Sequence, residues 1–310
     1  MKAVYIDQYG GPEVVKYGDQ PDPVAGPGEV VIDVVAASVN GADWKVRVGS
    51  YGYTKFPIIF GRDFSGTISA LGEGVGEFKV GDAVFGVIDQ GNEGAYCEKA
   101  IIKASLIAKK PAGLSHVNAA ALGLTGLTAL ISVEDTLQLK RGETILIQGG
   151  AGGVASFGIQ LAKHIGARVI TTTSTGNIDY VRGLGADEVI DYTKQDFSKI
   201  VHDVDAVFET VGGDVVQKSF SVIKSGGRAA FIASGAKAPP SPRDDVTSLR
   251  PQVKRSRRHM ERIGELYEAG AIRPPEVKLF KLADAVEALR VSEGRHFRGK
   301  LVFQIRPETA

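Results

Sequence analysis

The run Gly149-Gly150-Ala151-Gly152-Gly153-Val154-Ala155 carries the strongest chemical signal in the chain. It lies between an apolar stretch, Thr144-Ile145-Leu146-Ile147, and a helical pattern from Ser156 to Ile165. That context is a strand, a tight turn and a helix. Within it, Gly150-x-Gly152-x-x-Ala155 fits the dinucleotide fingerprint, whose last position is Gly or Ala. Glycines let the backbone turn sharply and approach a pyrophosphate, and the N–H groups of the helix N-terminus bind its charge. Gly150, Ala151, Gly152, Gly153 and Val154 are therefore the expected pyrophosphate cradle. Without these flanks the same glycines would read as a flexible turn.

Sites specific for NAD place an acid at the end of the second strand, about 20 residues past the fingerprint, where it bonds the ribose 2′-OH. Here that place holds Thr171-Thr172-Thr173-Ser174-Thr175, with no acid to repel a 2′-phosphate. Ser174 and Thr175 offer hydroxyls and Asn177 an amide, so NADPH is expected over NADH. The two hydroxyls are equally suited to capping the next helix. Ligands of open α/β sheets lie beyond the carboxyl ends of the strands. That rule adds Val211, in Thr210-Val211-Gly212, and Ser234, in Ala233-Ser234-Gly235. Arg295, Arg298 and Lys300 are candidate supplementary cations near the C-terminus.

These residues sit in a chain with two grammars. From Met1 to about Ala108 the pattern is short strands with glycine turns: Met1–Ile6, Val30–Ala36, Gly66–Gly72, Val80–Gly86 and Tyr96–Ile102. This predicts a small, barrel-like β domain. From Asn118, after a helical stretch to Leu137, strands alternate with helices. Strands are expected at 144–148, 168–172, 188–190, 206–209 and 228–232, and helices at 155–165, 177–184 and 215–223. This alternation predicts a doubly wound parallel sheet with helices on both faces. Residues 236–250, rich in Pro, Ser and charge, read as a loop. A helix at 253–269, a strand at 277–280, a helix at 282–291 and a strand at 299–304 complete the chain.

The 310 residues are enough for two domains, and 43% hydrophobic with 24% charged residues is an ordinary globular composition. A net charge of +1 sets up no field for nucleic acid or an acidic partner. The single cysteine, Cys97, excludes an intrachain disulfide and a cysteine-rich zinc site, and reads as a buried, inert thiol. No apolar run approaches the ~20 residues of a membrane span, and a cytoplasmic location is the default. The five histidines, His116, His164, His202, His259 and His296, read as surface or helix-end groups rather than metal ligands. Lys254-Arg255-Ser256-Arg257-Arg258-His259 is the one strong basic run; a solvated helix face balanced by Glu261 and Glu265 is favoured over phosphate or RNA binding.

Several segments occur together in order: Pro27-Gly28-Glu29-Val30-Val31, Asn40-Gly41-Ala42-Asp43-Trp44-Lys45, Gly61-Arg62-Asp63-Phe64-Ser65-Gly66, Lys79–Phe85, Leu184–Tyr192 and Arg298-Gly299-Lys300-Leu301-Val302. With them the chain closely resembles the zinc-independent quinone oxidoreductase branch of the medium-chain dehydrogenase/reductase superfamily. The resemblance implies a GroES-like catalytic domain, residues 1–117 and 257–310, and a Rossmann domain, residues 118–256. It implies NADPH as cofactor, a quinone or enone as small-molecule substrate, and a homodimer. It adds Thr125 beside the nicotinamide, though a helix hydroxyl bonding to backbone would look the same. It adds Tyr192 beside the 2′-phosphate. The chain departs from relatives in Ala155, in Asn177, which is a lysine in some of them, and in a segment after Ser234 that looks trimmed.

Zinc alcohol dehydrogenases of that superfamily carry a Cys-His pair where this chain has Val39-Asn40, so no metal is expected. The cofactor must then deliver the hydride, and the protein orients the acceptor and stabilises the charge that develops on its oxygen. The candidate catalytic residues are Asn40, at the former ligand position; Asp43, orienting its loop; and Lys45 or Tyr51, donating a proton or binding the oxygen. Asn40 and Asp43 would equally cap a turn, and Tyr51 would equally line a pocket. The leading function is an NADPH-dependent reductase of quinones or α,β-unsaturated carbonyls. The alternatives are an enoyl-thioester reductase, a small-alcohol dehydrogenase, or a non-enzymatic NADPH-binding sensor.

Overall fold

The computed structural model describes residues 1–89, 91–295 and 297–308. In chain order the strands are β1 (Lys2–Ile6), β2 (Lys16–Asp19), β3 (Glu29–Val39), β4 (Ile58–Ile59), β5 (Asp63–Leu71), β6 (Ala83–Val87), β7 (Lys99–Lys103), β8 (Ile107–Lys109), β9 (Thr144–Ile147), β10 (Arg168–Thr173), β11 (Glu188–Asp191), β12 (Val204–Glu209), β13 (Ile223–Phe231), β14 (Thr247–Leu249), β15 (Val277–Phe280) and β16 (Lys300–Gln304). The helices are α1 (Asp43–Arg47), α2 (His116–Leu130), α3 (Gly153–Ile165), α4 (Ile178–Gly183), α5 (Val215–Ser221), α6 (Arg257–Glu268) and α7 (Ala285–Gly294).

The chain divides into two compact units. One holds Met1–Leu124, Lys254–Glu268 and Pro274–Ala310; the other holds Thr125–Val253 and Ala269–Arg273. In the first, β15, β16, β3, β5, β6 and β8 lie side by side in that order, with β7 also on β3, and β2-β1-β4 form a small second sheet. Its core is built from Val30, Ile32, Val34, Phe60, Phe64, Tyr96 and Phe303, with the Tyr96 and Phe303 rings edge to face at 4.7 Å. Cys97 is buried here and burial pushes its thiol up to about 12, which keeps it protonated and unreactive.

The second unit is a six-stranded parallel sheet in the order β11-β10-β9-β12-β13-β14. Its first strand, β9, lies at the centre, and successive strands are added to either side of it. The topological switch point, where such sheets bind dinucleotides, falls between β9 and β12. Ile145, Leu146, Ile147, Val207 and Phe208 are fully buried, as central strands covered on both faces require.

Two expectations are corrected. The stretch 236–250 is not only loop: Thr247–Leu249 forms β14, which pairs with Arg228–Ala230 and closes the sheet edge. And one helical stretch, His116–Thr136, is long and apolar enough to cross a membrane, although most of it is buried inside the folded chain. It consists of α2 and a π-helical continuation, Ile131–Thr136, so its apolar character is that of a core helix.

Candidate functional site

In the second unit the turn leaves β9 at Gly149, in a left-handed conformation (φ 71°). The Gly149 N–H donates to Thr172 Oγ1 at 3.1 Å and the Gly150 N–H to the Thr172 carbonyl at 2.8 Å. A Cβ on Gly150 would lie 2.4 Å from Thr171 Oγ1, so only glycine fits between the turn and β10. A Cβ on Gly152 would meet one atom, the Gly149 carbonyl oxygen at a tight 3.3 Å, and this glycine is exposed on its other side. Gly152 caps α3, whose first N–H groups, on Gly153, Val154 and Ala155, have no intrahelical acceptors. Ala151 is buried beside them. A backbone cradle with an open glycine at a helix N-terminus fits the pyrophosphate of a nicotinamide dinucleotide.

Val211, 42% exposed, borders the turn: a Cβ on Gly149 would sit 3.0 Å from Val211 Cγ2. Sequence reasoning missed what fixes this loop. Glu209, fully buried at the end of β12, accepts the Val211 N–H at 2.6 Å and the Gly212 N–H at 2.7 Å. Burial holds its carboxyl above the usual range, against the pull of those two N–H groups. Ser234 is half-buried, and its hydroxyl donates to the Lys237 carbonyl at 3.4 Å. Thr125 is buried in α2.

Ser174, Thr175, Asn177 and Tyr192 gather beyond the ends of β10 and β11. Asn177 Nδ2 donates to Ser174 Oγ at 3.1 Å, and the Tyr192 N–H donates to the Thr173 carbonyl at 3.1 Å while its side chain is 56% exposed. Thr175 has its hydroxyl engaged within the chain. Its hydroxyl donates to Asp191 Oδ2 at 2.5 Å. Asp191 is the last residue of β11, paired in register with Thr173, so an acid does stand beside this region, one strand over from the place where the NAD rule looks. Hydroxyls of Thr175 and Thr193 hold its carboxyl down at about 2.

In the first unit Asn40, Asp43 and Lys300 belong to one buried network. Asp63, at the start of β5, accepts both Ser38 Oγ (2.9 Å to each oxygen) and Asn40 Nδ2 (2.8 Å), and its Oδ2 also accepts the Leu124 N–H at 2.8 Å. Asn40 Nδ2 also donates to the Ser38 carbonyl at 3.2 Å. Both amide protons of Asn40 are therefore engaged within the chain. Lys300 Nζ donates to Asn40 Oδ1 at 2.9 Å and to the Val39 carbonyl at 2.7 Å. Lys300 is only 3% exposed, and its ammonium is enclosed in this network. Arg298 forms an exposed ion pair with Glu276 at 2.7 Å.

Asp43 is fully buried; its Oδ2 accepts the Asn40 N–H at 2.7 Å and the Tyr96 hydroxyl. Burial pushes its carboxyl up to about 6 despite Arg62 and these bonds. Such a group binds its proton more tightly folded than unfolded. The stability this gives is fully present below its ordinary pKa and is lost as pH rises through about 6. Asp43→Asn keeps both acceptor bonds and carries no charge. Its stability relative to the parent should therefore rise by on the order of 3 kcal/mol between pH ~4 and ~7. Thermal unfolding at both pH values checks this; a difference that does not change with pH contradicts it.

Lys45 is half-buried, its ammonium 5.7 Å from the Trp44 ring centroid. Tyr51 is 44% exposed, stacked on Tyr53 at 6.1 Å and covered by the Arg62 guanidinium at 4.6 Å. Arg62, Glu93, Asp63, Tyr96 and Ser38 were not singled out as site residues from sequence. The basic run in and before α6 is engaged within its own unit: Arg257 pairs with Glu77, and Arg258 with Glu265 at 3.7 Å. Among the described residues no group of three or more His, Cys, Asp or Glu side chains could hold a metal ion, and His296 lies outside the described residues.

Known proteins match the chain from end to end. Residues 26–113 match the family model described as alcohol dehydrogenase GroES-like domain, and residues 184–303 the one described as zinc-binding dehydrogenase. The 2-methylene-furan-3-one reductase of Solanum lycopersicum is 34% identical, over 99% of this chain and 80% of that protein. An Arabidopsis thaliana NADPH-dependent alkenal/one oxidoreductase, chloroplastic, is 33% identical over 97% and 79%. The solved quinone oxidoreductase of Coxiella burnetii superposes with a TM-score of 0.91 at 34% identity, covering 99% of each chain. With its glycine cradle at the switch point and a hydrogen-bonded amide where zinc relatives place a ligand, the chain belongs to the zinc-independent quinone oxidoreductase branch of the medium-chain dehydrogenase/reductase superfamily.

Proposed function

We propose that this chain is an NADPH-dependent reductase that transfers hydride to quinones or α,β-unsaturated carbonyl compounds without a metal. The observation that carries the reading is the open glycine cradle at the switch point of a parallel sheet ordered β11-β10-β9-β12-β13-β14. The acceptor class comes from relatives named as alkenal/one and quinone oxidoreductases. A bound nicotinamide supplies the hydride. The Gly150–Val154 backbone holds the pyrophosphate, and Ser174, Asn177 and Tyr192 supply neutral donors for a 2′-phosphate. Asn40 and Asp43 position the turn that leads through α1 to Tyr51. Tyr51 presents an accessible phenol to the acceptor. The same resemblance supports a homodimer and a cytoplasmic location, which sedimentation and cell fractionation would check; the Arabidopsis relative is itself named as chloroplastic.

The test follows cofactor absorbance with NADPH and with NADH against quinones, enals, enones, enoyl thioesters and small alcohols. Turnover of a quinone or enone is expected, with NADPH favoured by roughly tenfold or more, the worth of one charge-assisted phosphate contact. Equal or better efficiency with NADH overturns the cofactor assignment. Tight NADPH binding with no turnover on any acceptor favours the sensor reading.

A further inference from the structure

Arg62 stands immediately before Asp63, and alternation along β5 sends its side chain away from the buried network toward Tyr51. Its backbone is fixed on both sides. The Gly61 carbonyl accepts the Gly94 and Ala95 N–H groups at 2.9 and 3.1 Å, and the Arg62 carbonyl accepts the Ile88 N–H at 2.6 Å. Its side chain is fixed as well. Nε donates to Glu93 Oε1 at 2.8 Å, the same oxygen accepts the Tyr53 hydroxyl at 3.1 Å, and the guanidinium lies 4.6 Å from the Tyr51 ring centroid. Glu93 is 2% exposed, and its other oxygen is buried without a partner. The two terminal nitrogens of Arg62 are different: on a side chain that is 11% exposed, they meet no acceptor among the described residues and are not fully buried. One edge of the guanidinium is locked and the other is open beside the candidate phenol.

We infer that the open edge of Arg62 binds the acceptor oxygen on which negative charge develops, an enolate or phenolate oxygen. This rests on the reductase reading above. In that reaction the acceptor takes a hydride with its electron pair and is reduced as the nicotinamide is oxidised. The displaced π pair moves onto the carbonyl oxygen, which accepts the Nη1 and Nη2 N–H bonds. A proton from water completes the reduction. Donors held in place before charge develops are the most effective kind, and a guanidinium fork suits an anionic oxygen.

The surroundings leave that charge available. Burial pushes Glu93, the carboxyl bonded to Arg62, up to about 7 despite that guanidinium, so it is only partly ionised near neutral pH, whereas Asp43, pushed up to about 6, is mostly ionised there. Burial and then the Arg62 charge hold Arg255 below its ordinary value, so a second guanidinium adds to the same positive field. Two guanidiniums that feel each other's charge favour an anion at the open edge.

The test has one arm without turnover. p-Nitrophenol, a chromophore whose phenolate resembles the charged product, is titrated with the protein alone and its colour transition followed against pH. The wild type should bind it and lower the transition by about one pH unit, which is tenfold tighter binding of the phenolate. Arg62→Gln keeps the bond to Glu93 and should abolish the shift; Arg62→Lys should keep part of it. In the second arm, both variants are assayed with acceptors of graded reduction potential. Arg62→Gln should lose kcat by roughly a hundredfold, and the loss should be largest for the poorest acceptors. No binding of p-nitrophenol by the wild type, or one transition shared by wild type and variants, overturns the inference. If the wild type shifts the probe but reduces no acceptor, the reductase reading fails while the anion site stands.

Discussion

Gly152→Ala should weaken NADPH binding by one to two orders of magnitude and barely change the fold. The open side of Gly152 is the reason. Its φ of −74° and ψ of 153° suit any L-residue, and the added Cβ meets only the Gly149 carbonyl, at 3.3 Å. The methyl group would instead occupy the space through which the backbone approaches a pyrophosphate, a clash of about 1–3 kcal/mol, or roughly 10- to 100-fold in affinity. Exchanging a glycine cap for alanine costs up to about 1 kcal/mol, a melting shift of no more than about 4 °C. Gly150→Ala makes the contrast. Its Cβ would strike Thr171, which is fully buried and donates to the Ile147 carbonyl at 2.7 Å. That variant should lose both affinity and roughly 4–10 °C of melting temperature. Calorimetric titration with NADPH and scanning calorimetry separate the two outcomes. Equal losses of stability in both variants would show that Gly152 packs against protein and holds no ligand.

The glycine cradle was legible because all of its parts are local. An apolar strand, the glycine spacing and the start of α3 lie within about two dozen consecutive residues. The acid near the 2′-phosphate region was not legible, because Asp191 comes beside Thr173 only through parallel pairing of β10 and β11. A rule that inspects the end of one strand does not see its neighbour. Likewise β14 is three residues inside a Pro- and Ser-rich stretch, and only its pairing with β13 makes it a strand. The buried network is the extreme case. Asn40 and Lys300 are 260 residues apart, and Ser38 and Asp63 are 25 apart. Each segment alone reads as a turn or strand end, so Asn40 stands out only through family resemblance, and nothing local shows that Lys300 is bonded to it. Arg62 lay within a quoted motif, Gly61-Arg62-Asp63, yet nothing local reveals that its neighbour Asp63 points inward while it faces Tyr51.

Lys300→Met is expected to destabilise the first unit by about 3–5 kcal/mol and to leave NADPH affinity unchanged. The variant keeps the stem's volume but removes the ammonium. It leaves the Val39 carbonyl and Asn40 Oδ1 without their buried donor. It also removes the cation that the Asp63 carboxyl, which anchors Ser38, Asn40 and the Leu124 N–H, attracts across the network. Removing one partner of such a buried arrangement costs more than the arrangement itself contributes, because the remaining charge stays enclosed. Lys300 itself is held below its ordinary pKa by burial, against the opposing pull of Asp63 and Asp43. The ammonium thus depends on those carboxyls as much as they depend on it. Asp63→Asn in the same background should recover part of the loss, since it removes the carboxyl that the Lys300 ammonium faced, while its amide oxygen still accepts Ser38 Oγ and the Leu124 N–H. A double-mutant cycle on Lys300 and Asp63 measures the coupling, expected at about 1–3 kcal/mol. Additive losses would mean the two residues act independently. A drop in NADPH affinity without a drop in stability would return Lys300 to the cofactor-binding role that its burial argues against.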